Sequence, residues 1–265
     1  MAESSPSPPS PSPSPIPDDE RGASEVLGYV FVFTLVVASV GVVTVGGFST
    51  LADVSTAERV QNSQQAFDIL HDNMAELYTE NAPSRATEIS LGDSELFYGE
   101  NVTVNVTVDS GGTSNSIVYE VRPVVKRLGN DRETIYEAGG TFRTTRQSGV
   151  VVRDPPFTFR SNSVHITIPA LRADAVRSLS GSSILVRGRV TDRTLEARET
   201  GGVDKVVVSV TSPRYEEWET FLSDQPNIDT CSVDDSANRV ECTSDSSAPD
   251  TVYVMAHEIE LSLIP

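Results

Sequence analysis

Lysine is nearly missing from this chain: Lys126 and Lys205 are the only two among 20 basic residues, and the rest are arginines. Set against 38 acidic residues, that gives a formal charge of -18. A surface this acidic repels polyanions, which excludes nucleic acid as a natural partner. Acidic, lysine-poor surfaces suit proteins that must stay hydrated in concentrated salt, where like-charge repulsion is screened over a very short range, so a halophilic source is expected. Cysteine is scarce as well. Cys231 and Cys242 alone cannot supply the roughly four ligands of a structural zinc site, and no CxxC redox pair occurs. Two readings stay open for them: one disulfide closing a short polar loop, as befits an oxidising extracytoplasmic compartment, or two free thiols.

Catalytic signatures are equally thin. Gly92-Asp93-Ser94 begins like the nucleophile block of GDSL hydrolases, but Glu95 stands where leucine belongs and no Asp-x-x-His follows. His257-Glu258 begins like a zincin helix, yet Leu261 occupies the place of the second histidine, and the alternation around Ile259 reads as strand. His71 and His165 are isolated. Asp234-Asp235 could hold calcium together with Asp229 and Asp245, or form a solvated acidic loop. No glycine-rich phosphate loop exists. The chain is therefore expected to be no enzyme and to hold neither metal nor cofactor.

What is present is just as uneven. Residues 1–22 are mostly Ser and Pro with a short charged end, a composition that cannot build a core and predicts disorder. Then 27 residues, Val26 to Ala52, pass without a charge. A helix needs only about 20 to cross the hydrocarbon of a bilayer, so residues 23–52 are predicted to span a membrane. A secretory signal removed whole is the other reading, with Thr50-Leu51-Ala52 as its cleavage tripeptide. The acidic leader and the length of the apolar run both argue against it. Residues 53–82 continue as helix. Val60, Phe67 and Met74 recur every seven residues, with Leu70 and Leu77 interleaved, giving one narrow apolar stripe. That stripe packs either on the protein's own β domain or on neighbouring subunits. Asn81-Ala82-Pro83 ends the helix.

From Ser84 the apolar period switches to two. Asn101–Val108 alternates without a break, and Ile117–Lys126, Val150–Arg153, Ser163–Ile168, Ile184–Thr191, Val203–Thr211 and Thr251–Leu263 resemble it. Glycine and proline turns punctuate them. Two short helices are predicted among the strands, Pro169–Leu179 and Ser212–Leu222, the second with Ser212 as cap and Pro213 at its first position. Glu216, Glu217 and Glu219 around Trp218 read as an exposed face beside a buried aromatic. The fold class is thus α+β: a long N-terminal helix, then an antiparallel, sandwich-like head over residues 83–265. Asn101-Val102-Thr103 and Asn105-Val106-Thr107 are sequons compatible with glycosylation outside the cell.

At the start of the apolar segment stands Arg21-Gly22-Ala23-Ser24-Glu25-Val26-Leu27-Gly28. This resembles the class III signal of type IV prepilins, specifically archaeal pilins and pilin-like proteins of haloarchaea. The resemblance covers the chain up to about the end of the predicted helix. It implies that a prepilin peptidase cuts between Gly22 and Ala23 on the cytoplasmic side and leaves the apolar segment in place. The protease needs an extended polar segment outside the hydrocarbon, and glycine suits a narrow cleft. Ala23 would then carry a new α-amino group beside Glu25, a carboxylate that the helix dipole favours. The resemblance further implies a register role for Glu25 against a neighbour's Ala23 amine. Here that glutamate is third in the mature chain rather than fifth as in bacterial members, and the leader is long.

The resulting expectation is a pilin-like subunit of an archaeal type IV pilus or related surface filament, single-pass until assembly, with its head outside the cell for adhesion or filament surface. Its partners would be membrane lipid, a prepilin peptidase and other pilin-like subunits, in homo- or hetero-oligomers. Gly28, Ala38, Ser39, Gly41, Gly46 and Gly47 would allow close helix packing. The alternative is a single-pass anchored extracytoplasmic binding protein that never polymerises.

Overall fold

The computed structural model describes residues 19–129, 131–160, 162–173, 178–244 and 249–265, with side chains described over 26–44 and from Val60 onward. The Ser/Pro leader up to Asp18 lies outside the described residues. The chain divides into two compact units, one ending at Ala57 and one covering Glu58–Pro265. Helix α1 (Asp19–Thr79) contributes to both.

The second unit opens with the last turns of α1, and its stripe packs on this protein's own strands. Phe67, Leu70, Met74 and Leu77 are completely buried, each worth about 1.5–3 kcal/mol of removed apolar exposure. The helix lies so close to the sheet beneath it that a Cβ on Gly188 would sit 2.7 Å from Met74 Sδ and 3.0 Å from Leu77 Cδ1. Polar ties flank the stripe: Asn73 Nδ2 donates to Thr87 Oγ1 at 2.8 Å, Arg143 to Gln64 Oε1 at 3.1 Å, and Arg153 pairs with Asp72 at 2.5 Å. Asn81 adopts φ 57°, and the Ala82 N–H turns back to Glu76 O at 3.2 Å, closing the helix. Arg193 completes the end by donating to Leu77 O at 3.4 Å and Ala82 O at 3.2 Å.

Three sheets follow. The sheet under α1 runs β1 (Ser84–Ser90), β12 (Ser183–Thr200), β16 (Thr251–Ile264), β10 (Ser163–Arg172) and β9 (Phe157–Arg160). The second runs β11 (Ser178–Leu179), β2 (Ser94–Tyr98), β5 (Val124–Leu128), β6 (Arg132–Glu137), β7 (Gly140–Thr145) and β8 (Gly149–Arg153). The third runs β14 (Thr230–Asp234), β15 (Arg239–Ser244), β13 (Val203–Thr211), β3 (Val102–Ser110) and β4 (Thr113–Val121). Pairing is antiparallel except between β10 and β16, which run parallel from Ser163↔Thr251 to Arg172↔Glu260. Helix α2 (Tyr215–Ser223) leans on β14, β15 and β8. The fold is α+β, as the periodicity predicts.

Three local expectations need correcting. The stretch Pro169–Leu179 is not helical where described: Pro169–Arg172 finishes β10, and Ser178–Leu179 is β11. Its alanines and leucines favour helix, but pairing with β16 overrides propensity. Pro169 is tolerated because β9 pairs with β10 only as far as Ile166, so the missing N–H breaks no ladder on that side. Ile117–Lys126 is two strands, β4 and β5, which part at Arg122-Pro123 and enter different sheets. Helix α2 begins at Tyr215, not Pro213, and its cap position, Arg214, makes no side-chain cap bond. Ser212 Oγ instead accepts from Arg214 N–H at 3.0 Å and donates to Glu137 at 2.8 Å.

Candidate functional site

The segment that most demands a partner is Val26–Thr44. It is a 19-residue helical stretch of mean hydropathy 2.5, with none of it buried. Leu27, Tyr29, Phe31, Phe33, Leu35 and Val42 are each 59–74 % exposed and point to every side of the helix. A surface helix of a globular protein keeps one apolar stripe; a helix apolar all round belongs inside protein or lipid. At about 1.5 Å per residue the stretch is about 28 Å long, close to the hydrocarbon thickness of a bilayer.

Its three aliphatic hydroxyls are already satisfied. Thr34 Oγ1 donates to Val30 O at 2.7 Å, Ser39 Oγ to Val36 O at 2.8 Å and Thr44 Oγ1 to Val40 O at 2.7 Å. Each of these three hydroxyls bonds back into the preceding turn, so none of them needs water. Tyr29 and Phe33 stack with ring centroids 6.4 Å apart near the N-terminal end, where an amphipathic ring suits a membrane boundary.

Arg21, Gly22, Ala23 and Glu25 lie in the first turns of α1, which begins at Asp19; their side chains lie outside the described residues. The sequence reading required an extended segment at the Gly22-Ala23 bond, whereas the backbone there is helical. Glu20, Arg21 and Ala23 are good helix formers, and acidic residues in a first turn are favoured by the dipole. A protease would have to unwind the terminal turns, which fray most easily.

In the head, Cys231 and Cys242 form a disulfide across β14 and β15, which decides between the two readings of the cysteines. The sequons differ in setting. Asn101 is exposed just before β3 and donates to Glu120 at 3.1 Å. Asn105 is half-buried within β3, and its Oδ1 accepts from Ser116 at 2.9 Å. Asp234 is spent on its own turn, accepting from Ser236 and Ala237, bonds that hold its carboxyl below the usual range. Asp245 lies outside the described residues, and among the described ones no three His, Cys, Asp or Glu side chains gather as metal ligands. Ser94 Oγ donates to Leu91 O. His71 sits 3.2 Å from Asp72, His165 stacks on Tyr253, and His257 lies buried on β16 with its ring 6.1 Å from Tyr78.

Sequence reasoning missed one polar centre. Glu137, fully buried at the end of β6, accepts from Ser212 Oγ, from Arg214 Nε at 2.6 Å and from Trp218 Nε1 at 2.7 Å. It anchors α2 to the second sheet. Glu217, expected on the exposed face, is turned inward at 8 % exposure. No spacing rule links Glu137 to residues 75–81 positions away.

A family profile matches residues 21–262. The chain belongs to DUF7289, a family of unknown function. No curated protein and no solved structure matches it. The DUF7289 match takes in the apolar stretch of α1 together with the three sheets.

Proposed function

We propose that this chain is a pilin-like structural subunit of an archaeal type IV pilus or related surface filament. It is held in the membrane by the apolar stretch of α1 before assembly and presents its β-rich head outside the cell. The observation that carries the reading is the Val26–Thr44 stretch, apolar on every face, unburied, and with its Thr and Ser hydroxyls bonded internally. Such a surface is stable in lipid or among identical helices and nowhere in water: at roughly 25 cal/mol per Å² its exposure is strongly unfavourable. Gly28, Ala38, Ser39 and Gly41 supply the small side chains through which helices approach one another. The cross-strand disulfide suits the oxidising side of a membrane.

The test is the N-terminus of the mature protein. Sequencing should start at Ala23 in cells with prepilin peptidase and at or before Gly22 in cells without it, and the processed chain should occur in sheared surface filaments. A mature protein still beginning at Met1 would remove the reading.

One observation favours the second reading, a single-pass anchored binding protein. The stripe of Phe67, Leu70, Met74 and Leu77 is consumed by the head itself, which leaves Gln61, Asn62, Gln65, Ile69, Asp72 and Thr79 as the exposed residues of that helical stretch. Absence from sheared filaments despite correct processing would select it.

A further inference from the structure

The head treats its buried arginine and its buried lysine differently. Arg214, 7 % exposed, is met by the fully buried carboxylate of Glu137. Lys126 is also 7 % exposed, yet among the described residues no Asp or Glu forms an ion pair with it. Its Nζ donates to the main-chain oxygen of Ser90 at 2.8 Å. An ammonium offers three N–H donors and a full charge, and a neutral carbonyl leaves that charge uncompensated. Burying a charge without a counter-charge is costly, and burial accordingly pushes the Lys126 pKa down. Topology explains the burial. Lys126 sits on β5 between Leu96 of β2 and Thr134 of β6, on the face where Thr134 meets Ser63 of α1. An apolar side chain would fill that place without the electrostatic cost.

Lys126 lines a cavity of about 210 Å³, whose wall is completed by Asn62 and Ser63 of α1, the turn from Ser90 to Ser94, and Leu128. Ser63 is 6 % exposed, and its hydroxyl donates a long bond, 3.5 Å, to Thr134 Oγ1. The cavity thus holds a second buried donor that is weakly used. Ser94, by contrast, spends its hydroxyl on Leu91 O. The chemistry of an occupant follows from this wall. An ammonium excludes cations, and a neutral group would leave the buried charge as it is. The net charge of -18 and Asp93 on the wall disfavour ions with two or more negative charges. Leu91 and Leu128 provide an apolar flank. One carboxylate on a short alkyl stem meets all of these conditions.

We propose that this cavity binds a single carboxylate group, with Lys126 as its buried counter-ion, Ser63 as a second donor, and Leu91 and Leu128 against the alkyl stem. The proposal is independent of whether the chain polymerises. A free short-chain acid and a carboxylate carried by another polypeptide share this chemistry. In the second case added free acid competes with the protein partner, so it dissociates assemblies; in the first it leaves them unchanged.

The experiment titrates the full chain in detergent micelles at fixed ionic strength with propionate and, separately, with propionamide, its neutral isostere. Lys126 and Lys205 are the only lysines, so isotopic labelling of lysine gives two side-chain NMR signals, which Lys205→Arg assigns. Propionate should bind about tenfold more tightly than propionamide, the ratio a charge-assisted hydrogen bond supports. It should move the Lys126 signal and leave that of Lys205 in place. Lys126→Met keeps the length of the side chain and removes its charge; there propionate should bind no better than propionamide. Ser63→Ala should weaken propionate roughly threefold. Sedimentation with and without propionate separates the two sources. Equal affinity for the two probes overturns the proposal, as does a propionate advantage that persists in Lys126→Met. A Lys126 signal that propionate leaves unmoved overturns it too, and that readout needs no variant at Lys126, so it stays decisive if Lys126→Met fails to fold.

Discussion

Helix α1 carries two stretches of the same backbone with opposite surroundings. From Val26 to Thr44 every described side chain is exposed, although nearly all are apolar; from Val60 to Thr79 most are polar, yet four apolar ones are completely buried. Pattern, more than composition, separates them. A stripe one residue wide finds its partner in the same chain, on strands β1 and β12. A helix apolar on all faces cannot be covered by one sheet, so its partner has to come from outside: lipid, or other helices. On the proposed reading the first stretch serves insertion and assembly and the second folding, and the two should fail independently.

The widest test is a crossed pair of substitutions. Phe67→Ala should cost the head roughly 4 kcal/mol, because a buried aromatic leaves a cavity, and should lower its urea midpoint without changing membrane fractionation. Leu35→Asp, at the centre of the apolar stretch, should cost about 3 kcal/mol of insertion, seen as a smaller carbonate-resistant membrane fraction with the same urea midpoint. If Leu35→Asp lowered the midpoint as far as Phe67→Ala does, the division of labour would be wrong.

Next in size is the polar centre of the head. Removing Glu137 by Glu137→Ala strands Arg214 at 7 % exposure and should cost about 3 kcal/mol. Trp218 fluorescence should report it, since the indole N–H loses its acceptor. Glu137→Ala/Arg214→Met should recover much of the loss, because the pair contributes less together than either half costs alone. No recovery in the double variant would mean that the centre does more than hold α2.

How much of this was legible beforehand follows from the range of the interactions. The apolar stretch, the heptad stripe and the alternation of β3, β13 and β16 are local patterns, and they read directly from spacing. Cys231 and Cys242 left two readings, because pairing depends on β14 and β15 coming side by side. Pro169–Arg172 misread as helix because its partner strand is some ninety residues away, and no window on the sequence contains both. Glu137 and Glu217 were invisible or misplaced for the same reason. Glu217 sits among other glutamates on a short helix, and only the closeness of Gly149 on β8 shows which one turns inward. In the apolar stretch the sequence reading rests on the residues themselves; in the head it needs the topology.

A smaller effect comes from pH at the last turn of α1. His257 is 2 % exposed with neither ring nitrogen bonded. It faces Tyr78 of α1 at 6.1 Å, Arg193 as its partner on β12 and Pro169 on β10. Burial first, and then Arg193, hold its pKa below the usual value. The unfolded chain therefore takes up this proton at higher pH than the folded one. The contribution is present above the unfolded pKa of about 6.5 and is lost as pH falls through the folded value. The slope for one proton cannot exceed about 1.4 kcal/mol per pH unit. Wild type and His257→Leu should thus differ in how their urea midpoints change between pH 7.5 and 5, with the variant flatter; parallel profiles would place the acid sensitivity elsewhere.

The smallest effect sharpens the comparison most, because it gives the two stretches opposite answers to one chemical change. A Cβ added at Gly28 or Gly41 meets nothing within 4 Å, while one added at Gly188, under the buried stripe, must displace Met74. Gly28→Ala and Gly41→Ala should therefore leave the isolated chain intact and strengthen its helix by at most about 1 kcal/mol each. Gly188→Ala should loosen the head. On the filament reading, however, the open space at Gly28 and Gly41 is where a neighbouring helix lies, and the added methyl groups push it outward. The same two variants would then be processed and stable, retained in the membrane, and depleted from sheared filaments. Unchanged filament content would mean that the glycines serve only the lipid-embedded state, which leaves the anchored, non-polymerising reading the stronger of the two.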